Sequence, residues 1–329
     1  MPRLAFLSTA HIHTESFLKR NAERGCAPPL IWDDVPERGR DFAQRHGAEF
    51  TAEIDTALTA AVDGYVICAE NTRHRALLEA VLPRGRPTFC EKPLCVDPAD
   101  LDPVLDLVAR HGTPLTCGYF MPFSAAMQGL AAALDERSCG TVTHVRHRNA
   151  HPGAYRRWFD SPTLRWFTEP ALSGGGALLD LGTHSVHLLR SLFGPVEAVW
   201  AAIGNRSGVY PAVDDHGLIH LRFASGVLGS VEAAWIHLGG RGGLEVFGDQ
   251  AALWQEGDGF ERKPIDGEAA PLPVGEAVPD RIDRLLALIG GEIPEAAWRA
   301  DLDCCADAVR ILAAAYHSST DGGWVVPAA

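Results

Sequence analysis

The chain has 329 residues, 47% hydrophobic and 22% charged, with a formal net charge of −13. That composition suits a globular protein of about two domains, and the acidic balance excludes the broad basic face that nucleic acid or an anionic membrane requires. No apolar run approaches the ~18–20 residues of a bilayer span, and the N-terminus lacks the apolar stretch of a signal peptide, so the expected compartment is the cytoplasm.

The first 120 residues alternate short apolar runs with amphipathic stretches. "LAFLS" precedes "TESFLKRNAER", "PLIWDD" precedes "PERGRDFAQRHG", and "DGYVICAE" precedes "HRALLEAVLP". "PTFCEKP" precedes "PADLDPVLDLVARHG", and "PLTCGYF" closes the series. Strands and helices in that order predict right-handed crossovers and a parallel sheet. After about residue 120 the pattern changes. "SAAMQGLAAALDE" reads as a helix and "TVTHVRHRNA" as a strand, and one long helix follows the glycines at 174–176. The runs "VEAVWAAIG", "HGLIHLRFAS", "GVLGSVEAAWIHL" and "GGLEVFG", with "ASG" and "GDQ" at the turns, predict an open, mostly antiparallel sheet. The stretch 256–280 reads as a surface excursion, and "RADLDCCADAVRILAAAYHSS" as a closing helix. The expected fold class is therefore α/β: an N-terminal α/β domain over 1–120, then an α+β domain with a large sheet over 121–295. The helix and tail of 296–329 are expected to pack back between the two. Eight cysteines without a C-x-x-C pair read as reduced core thiols.

Three places carry chemistry. "STAHIHTESF" sets His11 and His13 at the end of the first strand, on one side of an extended chain, where they could share a metal ion or line a phosphate-binding turn. "CEKPL" puts Glu91 and Lys92 at a strand's carboxyl end, where ligands of open α/β sheets bind. In "GGGALLDLGTHSVHLLRSLFGP", Asp180, His184 and His187 fall at i, i+4 and i+7 on a narrow strip of an otherwise apolar helix. Imidazole, with an ordinary pKa of about 6.5, suits general-base work. A strand-end ammonium suits a developing alkoxide.

The combination of "EKPL" at 91–94 with "SGGGALLDLGTH" at 173–184 resembles the glucose–fructose oxidoreductase/inositol dehydrogenase family, Gfo/Idh/MocA. "AENTRH", "GTVTHVR", "LRFASGVLGSVEAAW", "LEVFGDQAAL" and "YHSSTDGGWV" extend the resemblance over nearly the whole chain. It implies an N-terminal Rossmann domain, a C-terminal domain with a large open sheet, and an NAD(P)-dependent oxidoreductase. The implied substrate is a sugar, inositol or related cyclic polyol, and the implied assembly a homo-oligomer, dimer or tetramer. Lys92 would bond the reacting oxygen, with Asp180 and His184 as the catalytic carboxylate and imidazole. Asn71, His74, Glu91 and Lys92 would border the cofactor. Ser8, Ala10 and His13 stand where the family has the three glycines of its phosphate turn. Thr9, His11, Ile12 and His13 would then line the pyrophosphate with backbone N–H groups and imidazoles. Asp33, followed by Asp34, lies where an acidic residue bonds the adenosine ribose, which favours NAD over NADP. Tyr119, Phe120, Arg165, Trp166 and His187 are candidate substrate contacts. Phe120 and Pro122 replace the family's usual asparagine and arginine, which predicts a less polar substrate side. No metal is expected, because no further His or Asp cluster on later strands completes a site with His11 and His13. Two other readings remain: a non-redox, ligand-binding relative, and a metal-dependent hydrolase built on His11 and His13.

Overall fold

Six short runs form one all-parallel sheet: β1 (Leu4–Leu7), β2 (Leu30–Trp32), β3 (Glu49–Thr51), β4 (Gly64–Ile67), β5 (Thr88–Cys90) and β6 (Leu115–Cys117). Their order is β3-β2-β1-β4-β5-β6, the doubly wound Rossmann arrangement, which reverses direction between β1 and β4. β1 and β4 are buried along their whole length, as strands covered by helices on both faces must be. The helices between them are α1 (Thr14–Glu23), α2 (Pro36–His46), α3 (Ile54–Thr59), α4 (His74–Val81) and α5 (Leu101–His111). α2 and α5 each end on a left-handed glycine, Gly47 and Gly112, as a helix stop requires.

The computed structural model describes residues 1–328. Two compact units emerge, and their borders differ from the expected ones. The first comprises Met1–Tyr119, Phe159–Gly174 and Pro279–Ala306; the second comprises Phe120–Trp158, Gly175–Val278 and Asp307–Ala329. The leading segment of the first unit ends at Tyr119, where the expected domain ran to 120, and two later segments also count with the Rossmann unit. One holds α7 (Pro170–Ser173). The other holds α9 (Arg281–Ile289), which lay inside the expected 121–295 domain. Its Ile282 and Leu285 are buried in one core with Phe6, Val66, Phe89 and Phe17. Burial of an apolar stripe, not chain order, decides where a helix belongs.

Asp283 of α9 also reaches α1. Its carboxylate accepts Arg20 at 2.6 Å and Arg24 at 2.5 Å. Burial pushes this carboxyl up, but the two guanidiniums outweigh that and hold it down at about 2, from an ordinary 3.8. A depressed folded-state pKa stabilises above the unfolded value and is lost as pH falls through the folded one. Asp283→Asn should therefore cost about 1–2 kcal/mol at pH 7, discounted for the half-exposed arginines. The difference from wild type should shrink between about pH 4 and pH 2. Urea titrations of both proteins across that range check it, and a pH-independent gap would refute it.

The second unit carries an eight-stranded sheet: β7 (Val142–Ala150), β8 (Val196–Gly204), β9 (His216–Phe223), β10 (Leu228–Ala234), β11 (Gly243–Gly248), β12 (Ala251–Glu256), β13 (Gly259–Pro264) and β14 (Ala270–Pro271). The order is β14-β13-β12-β11-β7-β10-β9-β8, antiparallel except where β7 and β10 run parallel. β9 alternates strictly, with Gly217, Ile219, Leu221 and Phe223 buried and Leu218, His220 and Arg222 outside, as one covered face demands. The stretch 256–280 is not all excursion, since it supplies β13 and β14 at the sheet's end. α6 (Ala125–Asp135) and α8 (Thr183–Phe193) belong to this unit. The closing helix α10 (Glu295–Asp321) is divided after Ala306 between the two units. All eight cysteines are free thiols, and burial pushes those of Cys68, Cys90 and Cys95 up, as inert core thiols require. Among the described residues, no helix is long and apolar enough to cross a membrane.

Candidate active site

In the first unit, the chain leaves β1 through Ser8, whose φ of 68° lies in the left-handed region that a glycine usually occupies. The serine is held there by its side chain: Oγ accepts the Arg38 Nη2 at 3.1 Å and the Ala10 N–H at 3.3 Å. Ala10 is buried and small, so the backbone turns at positions 8–10 as a glycine loop would. Asp33, fully buried at the end of β2, clamps this turn. Its Oδ2 accepts the Thr9 N–H at 2.7 Å and the Thr9 hydroxyl at 2.6 Å, while Oδ1 accepts Arg38 at 2.8 Å and the Val35 N–H at 2.8 Å. A ribose hydroxyl would share a carboxylate already engaged by Arg38. Asp34 is partly exposed and pairs with Arg38 at 3.1 Å and with Arg73. The turn and the first turn of α1 thus fit a dinucleotide pyrophosphate, with side-chain bonds doing part of what glycine does elsewhere.

His11 is buried and His13 partly so, whereas Ile12 between them is exposed. Both imidazoles turn to one carboxylate. Glu91 Oε1 lies 3.0 Å from His13 Nδ1 and 3.4 Å from His11 Nδ1. Glu91 is fully buried, which opposes its ionisation, but positive charge at His11 and His13, then Lys92, holds its carboxyl far below the usual range. Its other oxygen accepts the Lys92 N–H at 3.0 Å. Lys92 itself is buried at the end of β5, and its bond to Pro93 is cis. His74 is completely buried, with Nδ1 at 2.8 Å from the Pro93 carbonyl and Nε2 at 3.2 Å from that of Ala69. Its ring therefore braces two strand-end loops. Asn71 likewise donates to the Ser173 carbonyl at 2.9 Å. Trp166 is buried, stacks on Phe167 at 3.9 Å and donates from Nε1 to the Ala10 carbonyl at 3.2 Å. The structure places it on the phosphate turn, while Arg165 beside it is exposed. Tyr119, at the end of this unit, is buried.

In the second unit, the expected single long helix begins differently. Leu178–Gly182 forms a π-helical turn before α8. This changes the angle between Asp180 and the two histidines from that of a uniform helix, and such turns recur at functional sites. Asp180 Oδ2 accepts the indole N–H of Trp235 at 3.1 Å. His184 and His187 are buried, and the Phe120 ring stands edge-on to His184 at 5.1 Å. The helix start is gripped by Asp214, whose carboxylate accepts the N–H groups of Gly176 at 2.9 Å and Leu178 at 2.8 Å and the Tyr316 hydroxyl at 2.9 Å. Sequence reasoning missed Trp235, Asp214 and Tyr316, because each reaches the helix from a distant segment with no local signature. Beside Ser185, His147 is driven down to about 4 by burial and is neutral; its Nδ1 lies 2.7 Å from the Ser185 hydroxyl.

A Rossmann unit with a buried strand-end lysine, and a second unit with an Asp–His helix beside a large sheet, define a two-unit protein of the α/β class. Comparison with known families places it further. Residues 11–119 match the model of the oxidoreductase family with an NAD-binding Rossmann fold, and residues 127–254 match the GFO/IDH/MocA C-terminal domain. The chain belongs to the GFO/IDH/MocA oxidoreductase family. It is 26% identical over 205 residues to an inositol 2-dehydrogenase of Burkholderia vietnamiensis, covering 60% of this chain and 54% of the relative. It is 26% identical over 223 residues to a 1,5-anhydro-D-fructose reductase of Ensifer adhaerens, covering 66% and 64%. The chain spans about half the length of the curated relatives it matches. A crystal structure of an inositol dehydrogenase homolog complexed with NAD+ from Azotobacter vinelandii has the same fold, with a TM-score of 0.85, 18% identity, and 99% and 97% of the two chains covered.

Proposed function

We propose that the protein is an NAD-dependent dehydrogenase or reductase acting on one carbon of a sugar, inositol or related cyclic polyol. The observation that carries this is the burial of Lys92 at the carboxyl end of β5, directly after Glu91, in a chain whose two units both match this family. Bound NAD supplies the hydride acceptor. His184 takes the hydroxyl proton as the carbon becomes a carbonyl, and Lys92 stabilises the alkoxide that forms on the way. Asp180, oriented by Trp235, sets the imidazole or a substrate hydroxyl. Phe120 gives the region around His184 an apolar wall, which fits a cyclic substrate with one carbon face exposed. Tyr119, Arg165 and His187 are the further substrate contacts of this reading. A cytoplasmic homo-oligomer completes it: the free thiols suit a reducing compartment, and the open face of the large sheet suits assembly by family analogy. Incubation with NAD+ and a panel of inositols, hexoses and anhydrosugars, followed by NADH absorbance, tests the proposal. No turnover with any member in either direction, in protein that binds NADH, would favour the ligand-binding reading.

NADH is expected to bind at least tenfold tighter than NADPH. Asp33 and Asp34 repel a 2′-phosphate, and Arg38, already paired with Asp33, Asp34 and Glu70, has little charge left to offer it. Side-by-side fluorescence titrations measure the two constants, and tighter NADPH binding would overturn the preference.

A further inference from the structure

We propose that His11, His13 and Glu91 form a binding site for a divalent transition-metal ion, zinc before others. In the sequence the two histidines lack a third ligand; the fold supplies one from the end of β5. One ring nitrogen from each of His11 and His13 and a carboxylate oxygen of Glu91 all lie within 4.8 Å of one another. Glu91 Oε1 lies 3.0 Å from His13 Nδ1 and 3.4 Å from His11 Nδ1. A tetrahedral zinc ion with bonds of ~2.0–2.2 Å separates its ligand atoms by roughly 3.3 Å, so these two separations already have the required length.

The site is built and braced. Glu91 is fully buried and its second oxygen is held by the Lys92 N–H. Gly118 closes from behind, where a Cβ would come within 2.6 Å of that oxygen. His11 stands beside the stacked Trp166 and Phe167 rings, at 6.0 and 5.9 Å. His13, whose side chain is one-third exposed, opens the site to water and to an entering ion. Two imidazoles and one carboxylate suit zinc, cobalt or nickel, whereas magnesium and calcium take oxygen ligands.

The other histidine-rich trio within one unit behaves differently. His216, Glu232 and His237 also approach one another, but His237 Nδ1 accepts Arg148 Nη2 at 2.7 Å. That bond forces the ring proton onto Nε2, the nitrogen facing Glu232 at 3.5 Å, and the trio is satisfied without an ion.

The inference is independent of the dehydrogenase reading and is tested without dinucleotide. Tag-free full-length protein, stripped with chelator and dialysed, is titrated with zinc chloride by calorimetry. One zinc per chain is expected. His13→Ala and Glu91→Gln should each weaken binding by at least about tenfold, the least expected when even a supporting residue of a metal site is lost. His216→Ala should leave it unchanged. Circular dichroism checks folding, and the partly exposed His13 keeps the test valid if the buried Glu91 variant fails to fold. Absence of stoichiometric binding, or equal affinity in His13→Ala, would overturn the site. Loss of NADH binding with zinc binding intact would count against the dehydrogenase alone.

Discussion

Lys92→Ala and His184→Ala should each lower kcat/KM by about 10²-fold or more, the scale typical of losing an oxyanion-stabilising or acid–base group. The loss should fall mainly on kcat, because both groups act on charge that develops as the proton and hydride leave. Lys92 is buried at a strand end and His184 is buried on a helix face beside Phe120, so circular dichroism of each variant must accompany the kinetics. NADH affinity and melting temperature should stay near wild type for His184→Ala. Lys92→Arg should not rescue, since a planar fork cannot occupy the place of a compact ammonium. Steady-state kinetics with the best member of the substrate panel decide the matter, and full activity in either alanine variant would remove that residue from the catalytic set.

Gly176→Ala should destabilise the protein by about 3 kcal/mol or more and abolish activity, the scale of severe overpacking against fixed backbone. A Cβ at this position would lie 1.9 Å from the Asp214 carbonyl oxygen, which itself accepts the Ala177 N–H at 2.9 Å. Backbone on both sides leaves nothing to rotate away. The same loop anchors the helix that carries Asp180 and His184, so the displacement would propagate to both. Gly175→Ala is the milder control: its Cβ would meet the Tyr316 hydroxyl at 2.6 Å, a side-chain end that can shift. Thermal melts of the two variants measure the contrast. A Gly176→Ala protein that melts like wild type would show that the glycine triplet is not needed for close approach.

Much of this was legible in the sequence, because local pattern carries it. The apolar runs of β1, β4 and β5, separated by amphipathic helices, sufficed for a parallel sheet, and strict alternation in "HGLIHLRF" sufficed for a one-sided strand. "EKPL" and "SGGGALLDLGTH" sufficed for the family, since motif order and spacing are properties of the chain itself. What escaped were relations between segments far apart in sequence. The membership of α9 in the Rossmann unit rests on Ile282 and Leu285 packing with residues near the N-terminus, and on Asp283 pairing with α1. The π-turn that re-aims Asp180, and the Trp235 indole that holds it, appear only once β10 ends beside that helix. Ser8 adopts a glycine's conformation because Arg38 bonds its hydroxyl. Glu91, read from sequence as a cofactor contact, becomes the carboxylate that gathers His11 and His13. Period and motif are written in neighbouring residues, whereas the partner of a buried charge is chosen by whichever strand end the fold brings within 3 to 4 Å, where desolvation demands that it be met.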